Sequence, residues 1–127
     1  MARKGISRIE RGGKRRPEAL TAAKHIMAFY RDRAANKGVP FSLEFLEFFE
    51  LIKRDCIYCG VRPSNTHKRK GGYAPFRYQG IDRVINSDGY TLENSVPCCA
   101  ACNSIKSNIL TAEEMLAAMT AIKKIRK

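Results

Sequence analysis

The sequence contains no apolar run that approaches the roughly 20 residues of a membrane-spanning helix. Its N-terminus also lacks the apolar core of a secretory signal peptide. These absences argue against a membrane partner and lead us to expect a protein of the reducing cytoplasm. Disulfides are rare in that compartment, so the five cysteines are expected to be metal ligands rather than disulfide partners.

Acidic residues are scarce: 12 aspartates and glutamates face 24 lysines and arginines, which gives a formal net charge of +12. Such an excess favours a polyanionic partner, most often nucleic acid, over a small-molecule substrate. Half of this charge lies in residues 1–16, where few apolar side chains could anchor the chain. We predict a flexible basic arm that orders on DNA, with Arg15 and Arg16 as phosphate contacts. A merely solubilising tail is the alternative.

The chain has no internal repeat, and its 127 residues suit one small domain with appendages. We divide it into the basic arm (1–16), a helical region (17–54), a central module (55–110) and a C-terminal helix with a basic end (111–127). In the helical region, apolar spacing predicts one helix over about 17–37 and a second over about 43–54, which Ser42 can cap.

The central module combines a loop, a hairpin and a helix. Residues 61–79 contain Pro63, Asn65, Gly71, Gly72 and Pro75 and are predicted to be loop. Residues 81–85 and 90–96 flank a turn at 86–89 and predict a β-hairpin. A short helix is expected over about 100–107. Thr111 and Glu114 form a capping-box pattern that opens the last helix.

Two CxxC pairs enclose this hairpin: Cys56 with Cys59, and Cys99 with Cys102. A pair of thiolates two residues apart can hold one Zn²⁺ from a tight turn, and two pairs complete a closed tetrahedral structural site. Cys98 could replace Cys99, although Cys99 has the better spacing to Cys102. We therefore predict a four-cysteine zinc site that fixes the segment between the pairs.

A hairpin followed by a helix and held by zinc brings three oxygen-bearing side chains towards one point. Asp82 belongs to the first strand, Asn94 to the connection, and Asn103 follows the last cysteine. Carboxylate and amide oxygens suit a hard cation such as Mg²⁺, which keeps waters and phosphate oxygens in its shell. Such an ion can stabilise the charge that develops on a scissile phosphate.

The central segment resembles the zinc-stapled HNH endonucleases, most closely those of bacteriophages, many of which are homing endonucleases. The resemblance covers residues 56–107, and its motifs are Asp82-Arg83, Gly89-Tyr90-Thr91, Glu93-Asn94 and Cys102-Asn103 with Lys106, in addition to the cysteine pairs. It implies an α+β fold: a ββα-metal HNH core stapled by a four-cysteine zinc site and flanked by N-terminal helices and a C-terminal helix.

The resemblance also implies roles for single residues. Asp82 and Asn103 would hold the catalytic divalent ion, Mg²⁺ or Mn²⁺. Asn94 would order the loop by hydrogen bonds, and Lys106 would face the DNA phosphates. The four cysteines of the two pairs would carry the structural zinc.

One position departs from the family pattern. The general base of the family is a histidine directly after the aspartate, and here that position is Arg83, which stays protonated and is a poor base. Three interpretations remain open. His67 could activate water, hydroxide from metal or solvent could suffice with Arg83 as an electrostatic aid, or the domain could bind DNA without cutting it. The neighbouring run Lys68, Arg69 and Lys70 is expected to contact phosphates.

The sequence thus predicts a metal-dependent DNA endonuclease of the HNH family. The expected type is a phage homing nuclease that acts in the host cytoplasm as a monomer or dimer. The main alternative is a non-catalytic zinc-dependent nucleic-acid-binding protein, and a weaker one is a structural role in a phage assembly.

Overall fold

The computed structural model describes residues 15–68 and 75–126, with side chains from residue 19 onwards. Most of the predicted basic arm, the side chains of Arg15 and Arg16, and the whole of Arg69 and Lys70 lie outside this description. The described elements are, in chain order, α1 Arg15–Asn36, α2 Phe45–Ile52, β1 Asn65–His67, β2 Phe76–Tyr78, β3 Gly80–Arg83, β4 Ser95–Cys98, α3 Ala100–Lys106 and α4 Ala112–Ile125.

The two N-terminal helices occur close to their expected positions, but Ser42 is not the cap of α2. The N-cap is Glu44, whose backbone N–H donates to the Glu47 carboxylate at 2.9 Å. Ser42 instead donates its backbone N–H to the carbonyl of Tyr90. The apolar sides of α1 and α2 meet β3 in one core, whose buried members are Ala23, Ile26, Met27, Leu43, Phe48, Leu51, Ile52 and Ile81.

Strands β3 and β4 form an antiparallel pair in which Asp82 lies opposite Val96. The predicted hairpin is present, but its second strand lies at 95–98 instead of 90–96, and residues 84–94 form a loop. The Asn94 carboxamide accepts from the N–H of Ile85 and donates to its carbonyl, and so replaces the ladder partner that a longer hairpin needs. Tyr90 forms an isolated bridge with Phe41 instead.

A second hairpin, β1 with β2, occupies part of the segment that was predicted to be loop. Thr66 lies opposite Arg77 in this antiparallel pair. Strands of three residues are too short to show the alternation of apolar and polar side chains on which strand prediction depends. Gln79 alone separates β2 from β3, and its buried amide donates to the carbonyls of Arg54 and Val61.

Helix α3 follows β4 almost directly, so β3, β4 and α3 form a ββα unit. The capping box of α4 is confirmed, because Thr111 and Glu114 exchange hydrogen bonds of 2.9 and 3.0 Å. A second buried cluster joins the zinc-motif cysteines to Met115 and Met119 of α4. The α+β class and the flanking helices are thus as predicted. No helix within 15–68 and 75–126 is long and apolar enough to cross a membrane.

Candidate metal centre and adjoining cleft

The sulfur atoms of Cys56, Cys59, Cys99 and Cys102 all lie within 4.8 Å of one another. A tetrahedral Zn²⁺ with Zn–S bonds of about 2.3 Å needs sulfurs about 3.8 Å apart, and Cys59 and Cys99 are 3.6 Å apart. The four residues therefore form a metal centre whose donor set and spacing fit structural zinc. Both predicted CxxC pairs contribute to it.

Local backbone geometry forms the first half of this centre. Gly60 closes the turn with a φ of 80°, which glycine adopts without strain, and its N–H donates to the carbonyl of Cys56 at 2.9 Å. The N–H of Ile57 donates to the carbonyl of Pro97 at 2.9 Å. The turn that carries the first cysteine pair is thereby hydrogen-bonded to β4, which leads into the second pair.

Cys98 lies outside the group of four, although it is adjacent to Cys99. Its thiol is buried and donates to the carbonyl of Cys99. Burial raises the pKa of the Cys98 thiol well above its ordinary value. Burial also acts to raise the pKa of Cys56, but backbone N–H groups, chiefly that of Cys59, lower it to about 7. Burial raises the pKa of the Cys59 and Cys102 thiols as well, so the positions of the sulfur atoms, and not these pKa shifts, separate the four ligands from Cys98.

A polar cleft with a volume of about 240 Å³ opens beside the metal centre. Its lining comes from α1, β3, the β3–β4 loop, α3 and the segment after α3, and consists of Tyr30, Arg33, Lys37, Ile81, Asp82, Arg83, Asn86, Tyr90, Asn103, Ser107 and Asn108. Asp82, Arg83 and Asn103 thus share one cleft. The rest of the lining includes two further cationic side chains, those of Arg33 and Lys37.

Asp82 is 6% exposed and is held by two donors. The hydroxyl of Tyr58 donates to Asp82 Oδ2 at 2.9 Å, and the Lys106 ammonium lies 3.2 Å from the same oxygen and 3.5 Å from Oδ1. Burial, followed by the bond to the carboxylate, raises the pKa of the Tyr58 hydroxyl. Tyr58 therefore stays a hydrogen-bond donor at ordinary pH.

The prediction that Lys106 faces DNA phosphates is wrong. Its side chain is 0% exposed, and besides Asp82 it donates to the carbonyl of Arg83 at 3.3 Å and to Asn86 Oδ1 at 3.1 Å. A buried ammonium needs a counter-charge and a full set of acceptors, and this position provides both. Lys106 is therefore an internal partner of Asp82 in this structure.

Asn103 and Arg83 differ in how they are held. Asn103 is exposed on α3, directly after the buried Cys102. Arg83 donates from Nη1 to the carbonyl of Asp88 at 3.0 Å, and its guanidinium lies 5.3 Å from the ring centroid of Tyr90. The positive charge of Arg83 is thus fixed at the cleft wall, in the position where a histidine was expected.

Asn94 does not line the cleft but holds the loop that forms one of its walls. In addition to its two bonds to Ile85, the Asn94 amide donates to the carbonyl of Gly89 at 2.9 Å. Because all of these bonds are made to backbone, they fix the path of residues 85–94. Asn94 therefore orders the loop, and its proposed part in catalysis is indirect.

Sequence reasoning missed the contribution of α1 to the cleft. The Tyr30 hydroxyl accepts from the N–H of Ile81 at 3.1 Å, which ties α1 to β3 beside Asp82. Gly80 permits this approach, because a Cβ there would lie 2.8 Å from the carbonyl oxygen of Cys98 and 3.2 Å from the Tyr30 hydroxyl. Arg33 and Lys37 then enter the cleft. Their spacing of four residues on a basic helix end was the available signal.

The basic loop and its histidine lie elsewhere. His67 is on β1, with its ring centroid 5.9 Å from that of His25, and it is not among the described residues that line the cleft. Lys68 is exposed at the end of β1. The other predicted phosphate contacts in this loop, Arg69 and Lys70, are outside the described residues.

Comparisons with known proteins place this geometry in context. No protein-family model matches the chain. Its structure is similar to that of the rare-cutting HNH restriction endonuclease PacI, described for its mechanism of DNA perturbation. The TM-score is 0.63 and the identity 25%, over 81% of this chain and 78% of that one.

A second similarity is to an uncharacterized protein of Acanthamoeba polyphaga mimivirus. The two are 33% identical over 91 residues, or 72% of this chain. The match spans only 15% of the viral protein's length.

Proposed function

Since the chain belongs to the HNH-like family by fold and by its four-cysteine metal site, we propose that it is a metal-dependent DNA endonuclease that hydrolyses phosphodiester bonds. One observation carries this proposal. Asp82 and Asn103, two oxygen-bearing side chains expected to bind a divalent ion, share a cleft with Arg33, Lys37 and Arg83. A phosphodiester needs cationic partners together with an oxygen-ligated metal ion, and this cleft offers groups for both.

The proposed holders of the catalytic ion are Asp82 and the side-chain oxygen of Asn103. A carboxylate and an amide oxygen form a donor set that suits Mg²⁺ or Mn²⁺, and the cleft has room for the waters that such ions retain. When bound, the ion supplies Lewis-acid stabilisation of charge on the phosphate and on the leaving oxygen. The four thiols would hold zinc in a purely structural role.

The cationic side chains of the cleft can bind the phosphates of the DNA. Arg33 on α1 and Lys37 directly after it can contact the phosphate backbone, and the fixed guanidinium of Arg83 can stabilise negative charge on the scissile phosphate. Because Asp82 is the one carboxylate among the described lining residues and is already paired with Lys106, the cleft is strongly cationic before DNA enters. The metal ion is therefore expected to bind together with the phosphate rather than ahead of it.

Arg83 stays protonated, so another group must accept the proton of the attacking water. Of the alternatives considered from the sequence, hydroxide from metal or solvent with Arg83 as an electrostatic aid has the most support, since His67 lies against His25 and not in the cleft. Arg83→His tests this choice. A gain in cleavage would indicate that a base is missing, whereas a loss would indicate that Arg83 has a role of its own.

The finer sequence predictions extend this proposal. A single such cleft among the described residues implies one cut strand per chain, so cutting both strands would require two copies or two binding events. A homing role, a phage origin and action in the host cytoplasm stay predictions. The first of them can be tested by cleavage selection on random-sequence DNA, because a homing enzyme should select a long site.

The discriminating variant is Asn103→Ala. Asp82→Ala is less suitable, because it would leave the buried Lys106 ammonium without its counter-charge. Asn103 is exposed, so its removal should spare the fold. Cleavage of plasmid DNA with Mg²⁺ or Mn²⁺ should fall at least about 10-fold, the scale of changes around a metal ligand. The matched control Ser104→Ala alters the next, also exposed, position of α3 and should cut normally.

A non-catalytic DNA-binding protein is the second candidate, and the pairing of Asp82 with Lys106 and Tyr58 favours it, since both partners already engage the carboxylate. The two candidates differ in one result. Zinc-loaded wild-type protein that binds DNA but cuts no substrate with either metal would support the binding role and overturn the nuclease.

A further inference from the structure

Tyr58 connects the metal centre to the cleft. It lies between Cys56 and Cys59 in sequence, and its ring is 2% exposed within the cluster that contains the metal-centre cysteines and Met115. From this position the hydroxyl reaches across to β3 and donates to Asp82 Oδ2 at 2.9 Å. The hydroxyl contact adds a polar function to the packing of this side chain against the metal-centre cysteines.

The two oxygens of Asp82 are unequally engaged. Oδ2 receives the Tyr58 hydroxyl at 2.9 Å and the Lys106 ammonium at 3.2 Å. Among the described residues, Oδ1 accepts one hydrogen bond, the longer one of 3.5 Å from the same ammonium. Lys106 is itself fixed, since it also donates to Asn86 Oδ1 and to the carbonyl of Arg83. The carboxylate is therefore held in one orientation by groups from the first cysteine turn and from α3.

We propose that Tyr58 is a positioning residue that couples the zinc centre to the cleft by fixing Asp82, so that Oδ1 alone is presented to the catalytic divalent ion. This inference rests on the proposed function, because it concerns the same cleft. Zinc binding thereby orients the Asp82 carboxylate, in addition to stabilising the fold. Asp82 would then offer the ion the oxygen that Tyr58 does not engage.

Tyr58→Phe isolates the hydroxyl, because the ring and its packing are kept. The zinc-loaded full-length chain is mixed with a DNA duplex, and the free Mn²⁺ that remains is measured by electron paramagnetic resonance. Zinc content should stay at one ion per chain and DNA affinity should be unchanged. Mn²⁺ affinity should fall by about 10-fold or more, as is typical when the partner that orients a metal ligand is removed. Cleavage should be lost mainly at low Mn²⁺ and recover partly as Mn²⁺ is raised.

Tyr78→Phe is the matched control, since it removes a tyrosine hydroxyl at the end of β2 without touching Asp82. Equal Mn²⁺ affinity for the Tyr58→Phe and Tyr78→Phe variants would overturn the inference, even if both proteins cut DNA. If wild-type protein cut nothing but bound Mn²⁺ in a Tyr58-dependent way, the nuclease proposal would fall and the coupling would stand. Loss of zinc from Tyr58→Phe would also overturn the inference, because the hydroxyl would then be a requirement of the zinc centre and not a positioning group for Asp82 alone.

Discussion

The metal centre and the cleft share helix α3, yet they are built in different ways. Cys102 is buried and points its sulfur at three other thiols, whereas Asn103, the next residue, is exposed and lines the cleft. All four metal-centre ligands are of one chemical type and come from one tight turn and the first turn of α3. The cleft gathers different side chains from several segments, including the end of a helix that belongs to no recognised motif. The metal centre therefore depends on the local spacing of its cysteines, whereas the cleft depends on tertiary contacts between segments far apart in the chain.

Because of this difference, the loss of one zinc-binding thiol should have the largest effect on stability. Cys56→Ser should release the zinc and unfold at least residues 56–107, because structural zinc contributes on the order of 10 kcal/mol in isolated fingers. Zinc content and thermal unfolding followed by circular dichroism measure this outcome. A thermal transition that survives complete removal of zinc would contradict it.

Cys98→Ser is the matched control for that experiment, since Cys98 is buried but lies outside the group of four. Serine can keep the hydrogen bond to the carbonyl of Cys99, so the loss should be about 1 kcal/mol or less. Loss of zinc in this variant would move the ligand assignment from Cys99 to Cys98.

Breaking the buried pair beside the cleft should have an intermediate effect. Lys106→Met leaves Asp82 with Tyr58 as its remaining side-chain donor among the described residues, and such a loss typically costs about 3–5 kcal/mol. Urea unfolding measures the change in the free energy of unfolding. Lys123→Met, on the exposed face of α4, should be nearly neutral. Equal stability of the two variants would mean that Lys106 is not the partner of Asp82 in solution.

The smallest effect on stability is expected at the cationic wall of the cleft. Arg33→Ala and Lys37→Ala alter exposed side chains and should leave unfolding unchanged. Each should reduce the slope of log affinity for DNA against log salt by about 0.9, the value for one lost phosphate contact. Lys53→Ala is the control, because Lys53 is paired with Glu50 and is not among the described residues of the cleft. An equal change of this slope in all three variants would show that the end of α1 is not part of the DNA interface.

The same contrast explains how much could be predicted from the sequence. The CxxC pairs, the ββα order and the approach of Asp82 to Asn103 follow from short spacings and from motifs with a known fold, and the structure contains them. The β1–β2 hairpin was missed because three-residue strands carry no periodic signal. The predicted strand at 90–96 failed because Asn94 satisfies the backbone of Ile85.

Two features of the cleft, the burial of Lys106 and the presence of Arg33, depend on tertiary contacts between segments that are far apart in the chain. Lys106 was expected to face DNA phosphates because the family resemblance implied that role. Its burial depends on three acceptors that converge from β3 and the following loop. Arg33 was overlooked because its place in the cleft depends on the packing of α1 against β3, which the apolar core and the Tyr30 hydroxyl bond to Ile81 hold together. Both cases involve pairings between segments far apart in the chain.

The most direct test of the account is to locate the two metal ions in a crystal of the full chain with a DNA duplex and Mn²⁺. Anomalous scattering separates zinc from manganese. Zinc is expected at Cys56, Cys59, Cys99 and Cys102. Manganese is expected in the cleft, beside Asp82, Asn103 and a DNA phosphate. DNA bound across the cleft with no manganese there, at a saturating concentration of Mn²⁺, would contradict the central claim that this cleft is a metal-dependent nuclease site.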